Sequence, residues 1–174
     1  VKADDVSKLF DGDLQTKTDE IEVQGSANDL TITVTFDKEV TASTVSLYSE
    51  GSINTNGNNS MVKYSESDTG EFKDFGHFEP VENQEYQYVA KSDSEKRLKR
   101  IQMDFKLTKG SLAIQELVFR DENGVDLLFG GGTVEKEDTS QYGKGTAYYL
   151  ELQQNSDSVY DAYLYDGTKV LTGL

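Results

Sequence analysis

Asp11 and Asp13 flank Gly12, and the hydroxyl of Thr16 follows three residues later. A tight loop of this composition can aim carboxylate, hydroxyl and backbone oxygens at one point. Such a set suits calcium, which takes about six to eight hard oxygen ligands in a flexible shell. The same residues also make an ordinary Asp-Gly turn at the surface, and at the level of residue types both readings stand. A second group, Phe75, His77 and Phe78 with Tyr64, has the aromatic and polar character that sugar recognition uses. An apolar ring face covers the C–H face of a pyranose while polar groups bond its hydroxyls. Asn54, Asn56, Asn58 and Asn59 add amides nearby in the sequence. The alternative for Phe75 and Phe78 is packing in the core.

Catalytic arrangements find little support. His77 is the single histidine and cysteine is absent, which removes zinc-thiolate sites and cysteine nucleophiles. No G-x-S-x-G elbow accompanies His77, and no phosphate-binding glycine loop precedes a helix. The expectation is a protein that binds and does not catalyse.

The elements that must carry these residues alternate with period two. Leu30, Ile32, Val34 and Phe36 alternate with threonines, and Ile101, Met103, Phe105 and Leu107 alternate with polar residues. Val45 and Leu47 repeat the pattern more briefly, and 86–90, 112–114 and 117–119 add further short runs. Turn-forming clusters at 51–59, 68–70, 109–110, 122–124 and 130–132 separate them. This punctuation predicts an all-β protein, an antiparallel β-sandwich of jelly-roll type with very little helix. Pro80 is expected between two strands, and 94–98 reads equally as strand or helix. Residues 146–152 and 160–165 read as two later strands.

With these elements in place, four segments resemble a known family in its order. Asp11-Gly12-Asp13-x-x-Thr16 after Leu9-Phe10 is similar to the FDGDxxT loop of discoidin and coagulation-factor C-type domains. That family includes the family 32 carbohydrate-binding modules. Residues 64–72 resemble its YSxDGxxW hairpin, 97–101 its ARYIRI strand and 112–119 its closing strand with an acidic residue. Thr18 and Phe72 stand where the family usually has Trp, and this chain has no Trp. The resemblance covers residues 4 to 121. It implies a galactose-binding-domain-like sandwich over 1–121, with 122–174 as further strands of it or the start of a second small β subdomain. It also implies a structural calcium held by Asp11, Asp13, Thr16, the Phe10 carbonyl and Glu116, tying the two ends of the module together.

Charge narrows the partners. Thirty-two acidic against 17 basic residues give a net charge of −15, which disfavours nucleic acid and anionic membrane surfaces. No apolar run is long enough to span a bilayer as a helix. The start at Val1 without an apolar leader is expected of a module taken from a larger protein. Together these readings predict a carbohydrate-binding module of a multidomain, secreted or surface bacterial protein, bound to a glycan or polysaccharide. The alternative is a structural or adhesive sandwich domain without sugar binding.

Overall fold

Leu30, Ile32 and Val34 face Phe105, Met103 and Ile101 across one antiparallel ladder, and all six side chains are fully buried. The two alternating stretches share a parity, so this register puts both apolar sets on the core face; a slip of one residue would expose them all. The computed structural model describes residues 8–10, 13–23, 29–124 and 127, and the backbone of 148–154, 161–165 and 170–173. In chain order the strands are β1 (Ile21–Glu22), β2 (Asp29–Ser49), β3 (Met61–Ser65), β4 (Lys73–Pro80) and β5 (Gln87–Lys106). They continue with β6 (Ser111–Leu112), β7 (Ile114–Arg120), β8 (Tyr148–Gln154), β9 (Asp161–Tyr165) and β10 (Val170–Gly173). No described element is a helix.

β2 and β5 pair along most of their length, interrupted twice. From Thr35 to Val40 the chain of β2 advances five residues while its partner moves two, from Arg100 to Leu98. From Ala42 to Thr44 β2 advances two while β5 moves five, from Lys96 to Lys91. The two irregularities cancel, so the far half of the ladder regains the parity of the near half, with Val45 opposite Ala90 and Leu47 opposite Tyr88. Unpaired residues of this kind bend and twist a strand. The bend lets β2 take β8 as its other neighbour over 30–36 and β7 over 44–49.

The sheet curls back on itself. β3 pairs with β5 near Met103, β4 pairs with β5 near Ala90, and β3 and β4 pair with each other. Ala90 and Phe105 would lie about 50 Å apart on a straight strand, yet Phe78, opposite Ala90, has its ring centroid 5.2 Å from that of Phe105. Phe36 meets Phe119 edge to face at 5.9 Å in the same way. The result is an antiparallel β-sandwich, with a small second sheet in which β1 pairs β6 through Ile21 and Leu112.

Residues 94–98 are strand, inside β5: Lys96, Arg97 and Leu98 pair with Ala42, Thr41 and Val40. Only Leu98 of these is fully buried, so the charged run is the solvated face of a strand. Pro80 also departs from expectation. It is the last residue of β4, opposite Tyr88, where a strand that stops needs no further donor. Tyr86 lies just outside β5, with a left-handed φ of 58°.

Gly76 marks the tightest approach in this curl. A Cβ there would stand 2.7 Å from the carbonyl oxygen of Lys91. Backbone cannot yield as a flexible side chain can, so Gly76→Ala should destabilise the fold by about 1–3 kcal/mol. A urea midpoint equal to that of the native chain would contradict the close packing of β4 on β5.

Candidate functional site

The N-terminal segment is laced onto the closing strand. The Thr18 N–H donates to the Ile114 carbonyl at 2.9 Å, and the Thr18 hydroxyl accepts from the Ile114 N–H at 3.0 Å. Further along, Gln115 Nε2 donates to the Leu14 carbonyl at 3.1 Å and the Leu117 N–H to the Leu9 carbonyl at 2.9 Å. Phe10 stacks on Phe119 at 6.4 Å. Thr18 is almost fully buried, a small hydroxyl residue satisfying both backbone groups of Ile114.

Glu116 lies between these anchor points and is fully buried. A carboxylate in that position requires hydrogen bonds, a proton or a cation to offset its lost hydration. Asp13, in the N-terminal turn, stands at the surface. Its Oδ1 accepts from the Gln15 N–H at 2.8 Å, and the Thr16 hydroxyl donates to its carbonyl at 3.0 Å. Asp11 lies outside the described residues. Among those described, no three His, Cys, Asp or Glu side chains converge on one point. A cation here would therefore draw on the hydroxyl and carbonyl oxygens of the turn as well as on carboxylates.

The rings expected to meet a ligand are placed differently. Phe78 is fully buried against Phe105. Phe75 and Tyr64 are buried and meet edge to face at 6.3 Å. Tyr64 follows the alternation of β3 with Val62, and a register shift in the β3–β4 ladder beside Phe75 lets Phe75 and Phe78, three residues apart, both be buried, so none of the three presents a ring face to solvent. The asparagine loop is also occupied with itself. Asn54 Oδ1 accepts from the Asn56 N–H at 2.9 Å, and Asn59 Nδ2 donates to the Asn56 carbonyl at 2.8 Å.

His77 is exposed. Its Nε2 lies 3.2 Å from Glu79 Oε1, in a groove of about 320 Å³ shared with Glu82, Lys91, Pro80 and Val89. This groove offers hydrogen bonds and charge, but no Phe or Tyr lines it. A smaller groove, of about 220 Å³, runs between Asn58, Met61, Lys63, Gln102 and Asp104 on the outer face. Partial desolvation in it, and then the charge of Asp29, raise the Asp104 carboxyl above its ordinary value of 3.8. The Thr31 hydroxyl opposes this by donating to Asp104 Oδ1 at 3.1 Å.

With this geometry described, the chain can be set beside known proteins. No family model matches it, and neither does any curated protein. Among solved structures it is similar to CpGH89CBM32-6 produced by Clostridium perfringens, with a TM-score of 0.51. The likeness covers 70% of this chain and 88% of that one at 18% identity. The shared feature is the fold. This chain shares its β-sandwich with that structure, in agreement, at a distant level, with the discoidin-like resemblance of its motifs.

The sequence reading missed Tyr86, the exposed large hydrophobic side chain among the described residues. Period two groups it with Tyr88 and Ala90, which are buried; its left-handed backbone removes it from that face. The Glu85-Tyr86 pair between turn residues and a strand is the one local signal.

The raised Asp104 carboxyl sets a direction for pH. The folded state holds this proton more tightly than the unfolded state, so stability is lost as pH rises from below 3.8 through the raised value. The penalty is complete once pH exceeds the raised value. Asp104→Asn should therefore shift the urea midpoint upward at pH 7, and the gain should vanish near pH 3. An equal gain at both values would mean that the titration of Asp104 is not its source.

Proposed function

We propose that this chain is a non-catalytic carbohydrate-binding module of a larger secreted or cell-surface bacterial protein. We further propose that a structural calcium ion ties its N-terminal turn to Glu116. The observation that supports the binding role most is the sandwich shared over 88% of the length of the clostridial chain. The charge of −15 restricts the ligand to neutral or basic glycans, since anionic polymers would be repelled. Affinity at a shallow surface should be modest, with a Kd on the order of 0.1–1 mM.

The calcium proposal draws on the buried Glu116 beside the segment that supplies Phe10, Asp11, Asp13 and Thr16. Calcium would supply charge neutralisation there and no reactivity. The carboxylates of Asp11, Asp13 and Glu116 would carry the charge, and the Thr16 hydroxyl and Phe10 carbonyl would fill the shell. Cross-linking residues this distant in sequence would add to the backbone bonds that already join Leu9, Leu14 and Thr18 to β7.

The burial of Tyr64, Phe75 and Phe78 favours a second reading, a spacing or adhesive domain that binds no sugar. A glycan-array screen of the purified chain, followed by product analysis of each bound glycan, separates the possibilities. Binding without cleavage is the expected result. Cleavage abolished by a single carboxylate substitution would make the chain an enzyme, and an array without hits would favour the adhesive reading.

Metal dependence is read separately from glycan binding, through thermal stability. At a hundredfold excess over its Kd, calcium that binds only the folded state contributes about 2.7 kcal/mol. Chelator should lower the Tm by several degrees, and Glu116→Gln or Asp11→Asn should remove that sensitivity. Magnesium should restore little, because it prefers a smaller octahedral shell. Identical melting in chelator and in saturating calcium would leave the turn a surface feature.

A further inference from the structure

Tyr86 combines three features that do not occur together elsewhere among the described residues. It is a large ring that is 38% exposed, it holds a left-handed φ of 58°, and it lines a polar groove. A bulky residue in this backbone region is unfavourable and persists only where surrounding contacts hold it. Ser49 supplies those contacts: its N–H and its hydroxyl both donate to the Tyr86 carbonyl at 3.1 Å. The Ser49 hydroxyl also lies 2.9 Å from the Gly51 carbonyl, so the same residue secures the exit loop of β2. A regular strand conformation would turn Tyr86 toward the face that buries Tyr88 and Ala90. The reversal instead sets Tyr86 in the lining of a groove of about 230 Å³ shared with Glu20, Glu50, Ser52, Lys109 and Ser111.

We propose that Tyr86 and this groove form a binding subsite for a single neutral pyranose ring of a glycan. The proposal rests on the carbohydrate-binding reading above and deepens it by naming the site and the sugar class. The Tyr86 ring is the apolar platform for the C–H face of the sugar. Carboxylates of Glu20 and Glu50 accept from sugar hydroxyls, and the Lys109 ammonium donates to hydroxyl or ring oxygens. Glu50 is held in place by Lys17 at 2.5 Å, and Ser52 by Thr108 at the same distance. The Tyr86 phenol is oriented by its hydrogen bond to Glu85, which, together with the Glu85 charge, raises its pKa above the ordinary 10.0. The volume is smaller than the roughly 300–1,000 Å³ of drug-sized pockets and fits one ring. Two carboxylates at the rim repel uronic acids and other anionic sugars, so the groove selects by charge as well as by shape. The His77 groove has charge but no ring platform.

Saturation-transfer NMR on the full chain tests this with methyl β-galactoside, methyl β-glucoside and N-acetylglucosamine, and with galacturonate as the anionic comparator. The native chain should transfer to the C–H face of at least one neutral sugar and bind galacturonate roughly tenfold more weakly or not at all. Tyr86→Asn should weaken neutral-sugar binding roughly tenfold or more. Asn tolerates a left-handed φ, so this variant should melt no lower than the native chain, separating loss of the ring from loss of the fold. Tyr86→Phe keeps the ring and should keep most of the affinity. If Tyr86→Asn binds as the native chain does, or if His77→Ala alone abolishes binding, the subsite is wrong while the carbohydrate-binding reading stands. Equal affinity for galacturonate would overturn the sugar class. No transfer from any neutral sugar together with an empty glycan array would overturn both the subsite and the reading on which it rests.

Discussion

The pairing of β2 with β5 is the constraint on which the other strands depend. Each is about twenty residues long, and each supplies core side chains to both halves of the molecule. Two long apolar alternations can share a core only if their parity survives the bend between them. Two compensating register shifts achieve this, restoring after Thr44 the phase that was lost after Thr35. With that phase kept, β7 and β8 find exposed ladder positions on β2, and β3 and β4 close the curl against β5. The aromatic contacts between Phe78 and Phe105 and between Phe36 and Phe119 then cross the interior instead of running along one strand.

Loops are tied down by a few well-placed side chains. Arg100, opposite Ser65 in the ladder, donates to the carbonyls of Ser67 and Gly70 at 3.0 and 2.7 Å and covers the Phe72 ring at 4.4 Å. Two segments that separately resemble family motifs, 64–72 and 97–101, are thus one structural unit. At the opposite end of the chain's path, Thr18, Leu14 and Leu9 bind β7 at Ile114, Gln115 and Leu117. The direct bonds there are between backbone and short side chains, so the join needs no Trp at position 18.

Surface chemistry follows from what the core has consumed. Packing takes Tyr64, Phe75 and Phe78, leaving among the described residues a surface in which charge dominates and exposed rings are scarce. In this setting one exposed tyrosine in a polar groove carries more recognition potential than its size suggests. The acidic balance that keeps polyanions away leaves carboxylates able to accept from sugar hydroxyls. Stability and recognition compete at Tyr86, where an unfavourable backbone angle turns a ring that alternation would bury into one that faces solvent.

Period-two patterning determined the strands at 30–36 and 101–107, the inward faces of both and the antiparallel sandwich, because alternation is a property of neighbouring residues alone. The ordered motifs likewise pointed to the distant discoidin-like fold, since each is a short turn or strand with its own composition. Tertiary structure decided the rest. Residues 94–98 became strand through partners more than fifty positions away, which no local preference encodes. Phe75 and Phe78 could be ligand platform or core until the curl of β4 over β5 enclosed them. Alternation from Leu117 and Phe119 alone would put Glu116 on the outer face, and its burial depends on the N-terminal segment lying across β7. Tyr86 was hidden for the same reason in reverse. Its exposure depends on a backbone reversal held by Ser49, which is close in space and 37 residues away in sequence.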